Sequence, residues 1–139
     1  MKQYLKRLKN QKGMTLIELL AVLVIIGIIA AIAIPMIANT IENSRNEAKV
    51  NEALNIISAA KLAYANNVKG TGEGSNDDTI VYQKSDLEAY VQANYGKDSD
   101  FKVTYTISTG IWSIDEHPAN EIEDIGSDAN EQTLIAFLQ

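Results

Sequence analysis

From Leu19 to Ala38 the chain runs for 20 residues without a charge or a hydrogen-bonding side chain. In an apolar medium only a helix satisfies the backbone of such a run, and a helix of that length covers about 30 Å, a bilayer's hydrocarbon thickness. The preceding residues 1–13 hold five of the 12 basic side chains (Lys2, Lys6, Arg7, Lys9, Lys12) and no acid. Cations flanking an apolar span stay on the cytoplasmic side, which sends the carboxyl end outward. The formal charge is −6 overall, but beyond residue 13 seven basic groups face 18 acidic ones, a net −11. A body of that sign has little Coulombic reason to hold nucleic-acid phosphates, so direct nucleic-acid binding is disfavoured. With no cysteine there is no disulfide, thiolate metal site or Cys nucleophile. An ordinary secretory signal also begins basic and turns apolar, but it is shorter and ends at a small-residue cleavage site. Here the alanine-rich stretch at 30–33 sits inside the run, with more apolar chain beyond it.

Glu18 makes the pattern specific. A carboxylate at the edge of an apolar helix costs about 2–3 kcal/mol on insertion scales unless it is paired or protonated. No basic residue lies within a helical turn on its outer side. A cut after Gly13 would supply one, the new ammonium of Met14. The stretch Lys12-Gly13-Met14-Thr15-Leu16-Ile17-Glu18-Leu19-Leu20 resembles the class III signal of type IV prepilins. The resemblance covers roughly residues 6–60 and is strongest over 12–38, where Gly27 and Pro35 also match. It implies cleavage between Gly13 and Met14 by a prepilin peptidase and N-methylation of Met14, although the family usually has Phe at that position. It further implies an assembly role for Glu18. Proline removes a helical hydrogen bond, and Pro35 should clash with the carbonyl of Ala31, so a kink is expected there. The resemblance adds that the segment from Gly27 to Pro35 unwinds when subunits pack.

Helical periodicity continues beyond Pro35. Ile37, Ile41, Ala48, Leu54, Ile57 and Ala60 recur at threes and fours, while Glu42, Arg45, Glu47, Lys49 and Glu52 take other faces. The spacing predicts a helix from Thr15 to about Val68, with Leu54 and Ile57 buried. Residues 70–78 read as a glycine-rich loop, and Ser85 with Glu88 as a capping box opening a short helix that ends near Tyr95-Gly96. Phe101, Val103, Tyr105 and Ile107 alternate with polar residues, and Thr109-Gly110 turns the chain into Ile111–Ile114, a hairpin. Thr133–Leu138 reads as a further strand. The fold expected is α+β and type IV pilin-like: a long N-terminal helix, membrane-spanning in its first half, packed by its second half on a small antiparallel sheet. Its parts are a cleaved leader (1–13), a transmembrane and filament-core helix (14–38), an amphipathic continuation (39–69) and a globular head (70–139).

Few residues suggest further chemistry. His117 is the only histidine and is expected to be a solvated loop residue without a metal or triad partner. Tyr64, Tyr82, Tyr90, Tyr95 and Trp112 are expected to pack between helix and sheet rather than stack on sugars or bases. Gly70, Gly72 and Gly74 lack the lysine and preceding strand of a phosphate loop. No cofactor is expected, with calcium at Asp115, Asp124 and Asp128 the one candidate, since oxygen-rich loops hold that ion and related pseudopilins bind it. No enzymatic constellation is present in the sequence. The resemblance thus implies a structural subunit of a type IV pilus or pseudopilus serving DNA uptake, secretion, adhesion or motility. The alternative is a minor tip pilin that binds DNA or a surface. Implied partners are other pilins, the peptidase, and an inner-membrane assembly platform with its ATPase. The implied location is the cell membrane as a single-pass protein, then the extracellular filament, with the head outside the cytoplasm.

Overall fold

Helix α1 runs from Leu16 to Ala65 in the computed structural model, which describes residues 15–92, 94–96, 99–127 and 129–139. Strand β1 (Thr79–Gln83), a 3-10 turn (Lys84–Asp86), β2 (Lys102–Thr106), β3 (Ile111–Asp115), a second 3-10 turn (Pro118–Glu121) and helix α2 (Glu131–Phe137) follow. The chain divides into two units, one ending at Ile41 and one from Glu42 to Gln139.

Among the described residues of the first unit the large aliphatic side chains are all exposed, from Leu16 at 87% to Leu19 at 45%. The helix is long and apolar enough to cross a membrane. It continues unbroken through Gly27 and Pro35.

The second unit holds a core of its own. Val50, Ala53, Ile56, Ile57, Ala60 and Ala63 of α1 are buried, and the alanines let the sheet approach closely. Opposite them lie Tyr82, Val103, Trp112 and Ile114. Register places these on one sheet face, because Tyr82 pairs with Val103 and Val103 with Ile114 in an antiparallel order β1-β2-β3. Phe101, Leu87, Ile122, Ile125 and Leu134 close the rim. Of the two residues expected to be buried, Ile57 is and Leu54 is only partly so; of the others in that periodicity Ala60 is buried, while Ile37, Ile41 and Ala48 are exposed. Helix α1 ends three residues before Val68, because Asn67 adopts a left-handed conformation (φ 58°) and closes a Schellman motif. Its N–H donates to Tyr64 O at 2.9 Å, and Val68 N–H to Ala63 O at 3.0 Å.

The hairpin β2–β3 forms as the alternation predicts. Two other elements differ. Among the described residues 85–92 and 94–95 there is no α-helix, because Asp86 rather than Glu88 caps the segment, accepting from Gln83 N–H at 3.0 Å and from Thr71. The segment expected as a strand over Thr133–Leu138 is helical as far as Phe137, with Leu138 as the C-cap. Asn130 is the N-cap of α2, its Oδ1 accepting from Thr133 N–H at 2.9 Å, and only Leu134 of the helix is buried.

Strand β1 was not legible, because Val81 and Tyr82 are both buried and the period of two is lost. Its outer edge is covered by the chain's own glycine loop. Val81 O accepts from Gly72 N–H at 2.9 Å and Val81 N–H donates to Ser75 Oγ at 3.0 Å. Thr79 exchanges two bonds with Asn76, at 2.7 and 3.3 Å. A Cβ at Gly70 would run into Val81 O, and one at Gly72 into the Val81 side chain. Those two glycines are there for close approach, not for phosphate.

Candidate functional site

The residue that sequence chemistry singles out, Glu18, lies in the first turn of α1. Its carboxylate has a local partner that the charge argument overlooked. Glu18 Oε2 accepts from both the N–H and the hydroxyl of Thr15, each at 3.1 Å, while Thr15 Oγ1 accepts from Glu18 N–H at 3.3 Å. This is a reciprocal capping box that satisfies helix-start donors which no helical carbonyl can reach. Its signal, Thr-x-x-Glu ahead of an apolar run, was present in the sequence. The negative group also sits favourably at the positive end of the helix dipole. Gly13 and Met14 lie outside the described residues. Gly27 has open space around its Cα, with nothing within 4 Å of where a Cβ would stand.

Among the described residues no three of His, Cys, Asp or Glu are grouped so as to hold a metal ion. Asp115 ends β3, and burial together with the neighbouring Glu116 charge raises its carboxyl pKa against the pull of Lys102. Asp124 is exposed in the following loop, and Asp128 lies outside the described residues.

His117 is not solvated. It is 3% exposed, caps the second 3-10 turn, and accepts from Ala119 N–H through Nδ1 at 3.1 Å. The loop composition concealed this, because a side chain can cap a turn and enter a core at once. Of the aromatics, Tyr82 and Trp112 are core, while Tyr90 and Tyr95 pack against it. Trp112 stacks on Tyr105 at 4.3 Å, and Tyr64 is tilted against Tyr105 at 5.1 Å although it remains 41% exposed. The rings therefore serve packing between α1 and the sheet.

Residues 8–34 match the family described as the prokaryotic N-terminal methylation motif. The type IV major fimbrial protein of Dichelobacter nodosus is 35% identical over 94 residues, 60% of this chain and 56% of that protein. The type IV narrow pilus major component of Thermus thermophilus is 32% identical over 108 residues, 71% of this chain and 88% of that protein. The chain belongs to the type IV pilins. The pilin spans little more than half the length of its Dichelobacter relative. No solved structure matches the pilin closely. The methylation-motif match covers the basic stretch from Leu8, the Gly13-Met14 bond, Glu18 and most of the apolar run. The similarity to the Thermus protein is too long to be confined to that motif and extends into the head.

Proposed function

We propose that the chain is a filament subunit, made as a membrane-held precursor, cut after Gly13, methylated on Met14, and polymerised through its apolar helix. The observation that carries this reading is the first unit itself: a run of exposed Leu, Ile and Val side chains with one carboxylate at its start. An apolar surface of that size needs lipid or other copies of itself around it. The relatives are named as major pilus components, which favours a principal subunit over a tip-located minor one. The precursor sits in the cell membrane, and the assembled subunit lies outside the cell with its head in water.

Glu18 gives the filament its register. Water is excluded where apolar helices bundle, and an unpaired carboxylate there is strongly disfavoured. The capping bonds from Thr15 fall on Oε2. That leaves Oε1 to accept from the Met14 ammonium of an adjacent subunit, an amine that exists only after cleavage. Processing and polymerisation are thereby coupled. The surrounding aliphatic side chains provide most of the contact area, and the charge pair sets position.

Two measurements test the proposal. Intact mass of protein from the native cell should correspond to a chain starting at Met14 with one added methyl group. A mature terminus near Pro35, or an unprocessed chain, refutes the precursor reading. Glu18→Ala should leave cleaved protein in the membrane but sharply reduce the filaments that can be sheared from cells. A normal filament yield would rule out the charge pair.

A further inference from the structure

The one buried polar side chain of the described core, His117, is incompletely bonded; Ser99 Oγ, on a half-buried residue, is the other buried atom without a partner. The His117 side chain is fully buried, and its Nε2 has no hydrogen-bond partner. The tautomer follows from geometry. A backbone N–H can only donate, so Nδ1, which receives Ala119 N–H, must carry no proton. The single ring proton of the neutral side chain is on Nε2. It faces Glu52 Oε1 of α1 across 3.8 Å, a distance that serves an ion pair but is too long for a hydrogen bond.

Glu52 meanwhile holds another segment. Its Oε1 accepts from Gly96 N–H at 2.5 Å, fixing the 94–96 turn to the helix. Gly96 cannot move inward, since Phe101 fills the space beside its Cα. On the other side, His117 N–H donates to Asn120 Oδ1 at 3.0 Å, and Asn120 Nδ2 reaches Ile114 O at 3.0 Å and Gly126 O at 3.3 Å. The 117–120 turn thus ties the end of β3 to the segment leading into α2. Helix, 94–96 turn and 117–120 turn meet at one imidazole and one carboxylate.

We propose that His117 and Glu52 form an acid-operated latch, in which one proton releases the 117–120 turn and the 94–96 turn together. Protonation puts a hydrogen on Nδ1 pointing at Ala119 N–H. Two donors then face each other, and the cap of the turn is lost. The same proton makes Nε2–H a cation, which draws Glu52 across the 3.8 Å gap and away from Gly96 N–H. Chemistry balances without a co-reactant: water supplies the proton, which resides on Nδ1, and no covalent bond other than N–H changes.

The charges around the ring set where the latch acts. Glu52 favours the cation, whereas burial and Lys49, also on α1, disfavour it, with burial the largest influence. Lys49 is itself 3.6 Å from Glu121, and Glu116, next to the ring in sequence, is 2.6 Å from Lys102. Lys84 Nζ donates to Gly96 O at 2.6 Å behind the turn. The balance lowers the His117 pKa below its usual 6.5. The latched state is fully favoured above the ordinary histidine range and loses that advantage as pH falls below it.

The test uses the full chain in detergent micelles, with 15N in the ring of its only histidine. Ring protonation is followed by NMR against pH, together with hydrogen exchange at Ala119 and Gly96 corrected for intrinsic pH dependence. Protection at both amides should fall by about tenfold in the same pH step as the ring titrates, the change expected from losing one hydrogen bond. His117→Asn, which can still cap the turn but cannot titrate, should abolish the step at both amides. Glu52→Gln should move ring protonation to lower pH and uncouple Gly96 from it. Should His117→Asn fail to fold, the Glu52→Gln comparison decides the matter alone. A ring that titrates while both amides stay protected, or a loss of protection at Ala119 without Gly96, would overturn the latch.

Discussion

Replacing Ile57 with alanine measures directly how α1 holds the sheet. The side chain is fully buried in the head's core. Cutting it back to Cβ forfeits about 0.8 kcal/mol for each buried methylene-sized group, or about 2.4 kcal/mol in transfer free energy. The cavity left in the core adds to this where the surroundings cannot collapse, giving about 3 kcal/mol within the 2–5 range for such changes. Alanine's better helix propensity returns at most about 0.7 kcal/mol. Leu54, one turn away and only partly buried, should lose about half as much when cut to alanine. The contrast is therefore more telling than either value. A chain beginning near Asn39 lacks the apolar run and should be soluble and monomeric, so thermal unfolding of it can be followed by circular dichroism. For a domain of this size, about 3 kcal/mol corresponds to a fall in Tm on the order of 10–20 °C. Equal effects of Ile57→Ala and Leu54→Ala, or a negligible effect of the first, would refute the face assigned to α1.

Three further outcomes are expected. Gly70→Ala forces its new methyl against Val81 O and should destabilise the head by about 1–3 kcal/mol in chemical denaturation, despite the smaller unfolded-state benefit of losing a glycine. Asn130→Ala removes the cap of α2 and should cost about 1 kcal/mol in the same assay. Burial raises the Asp86 pKa, but bonds from Thr71 and Gln83 outweigh this and hold it below 3.8. A depressed carboxyl stabilises the fold above its unfolded pKa and is lost as pH falls through the folded value. Acid unfolding of Asp86→Asn should therefore be less steep than that of the parent below about pH 4.

The reach of the sequence depended on how many constraints bore on each residue. Leu19–Ala38 could be read because a bilayer-length apolar run permits only one backbone solution, and the hairpin because Phe101, Val103, Tyr105 and Ile107 alternate without interruption. Strand β1 could not, since the glycine loop buries Val81 on the face that an ordinary half-covered sheet leaves wet. The short apolar run of α2 fits either period, and the cap at Asn130 settles it as helix. Near Glu18 charge alone points to a cation, while the hydroxyl and N–H of Thr15 lie three residues away. The composition around His117 misleads: polar neighbours such as Glu116 and Asn120 suggest water, but Asn120 folds back onto the His117 N–H and closes the turn. In each of these four cases the deciding partner was a neutral hydrogen-bonding group, which carries no periodicity and no net charge; only over 85–95 was it a carboxylate, that of Asp86.

The covered edge of β1 bears on what happens when many copies are crowded together. In the filament proposed above, heads side by side would experience effective concentrations of about the millimolar range, at which even weak pairing becomes populated. A bare strand edge under those conditions templates sheet growth from one molecule to the next, without regard to axis or register. Here Gly72, Ser75 and Asn76 already occupy the hydrogen-bonding groups of Val81 and Thr79, and Ala129 O accepts from Ile114 N–H on the opposite border of the sheet. Cross-β adhesion thus has little to start from at either border. On the assembly proposed above, the subunit is in this way denied the commonest unwanted route to polymerisation, and growth would be left to the apolar helix.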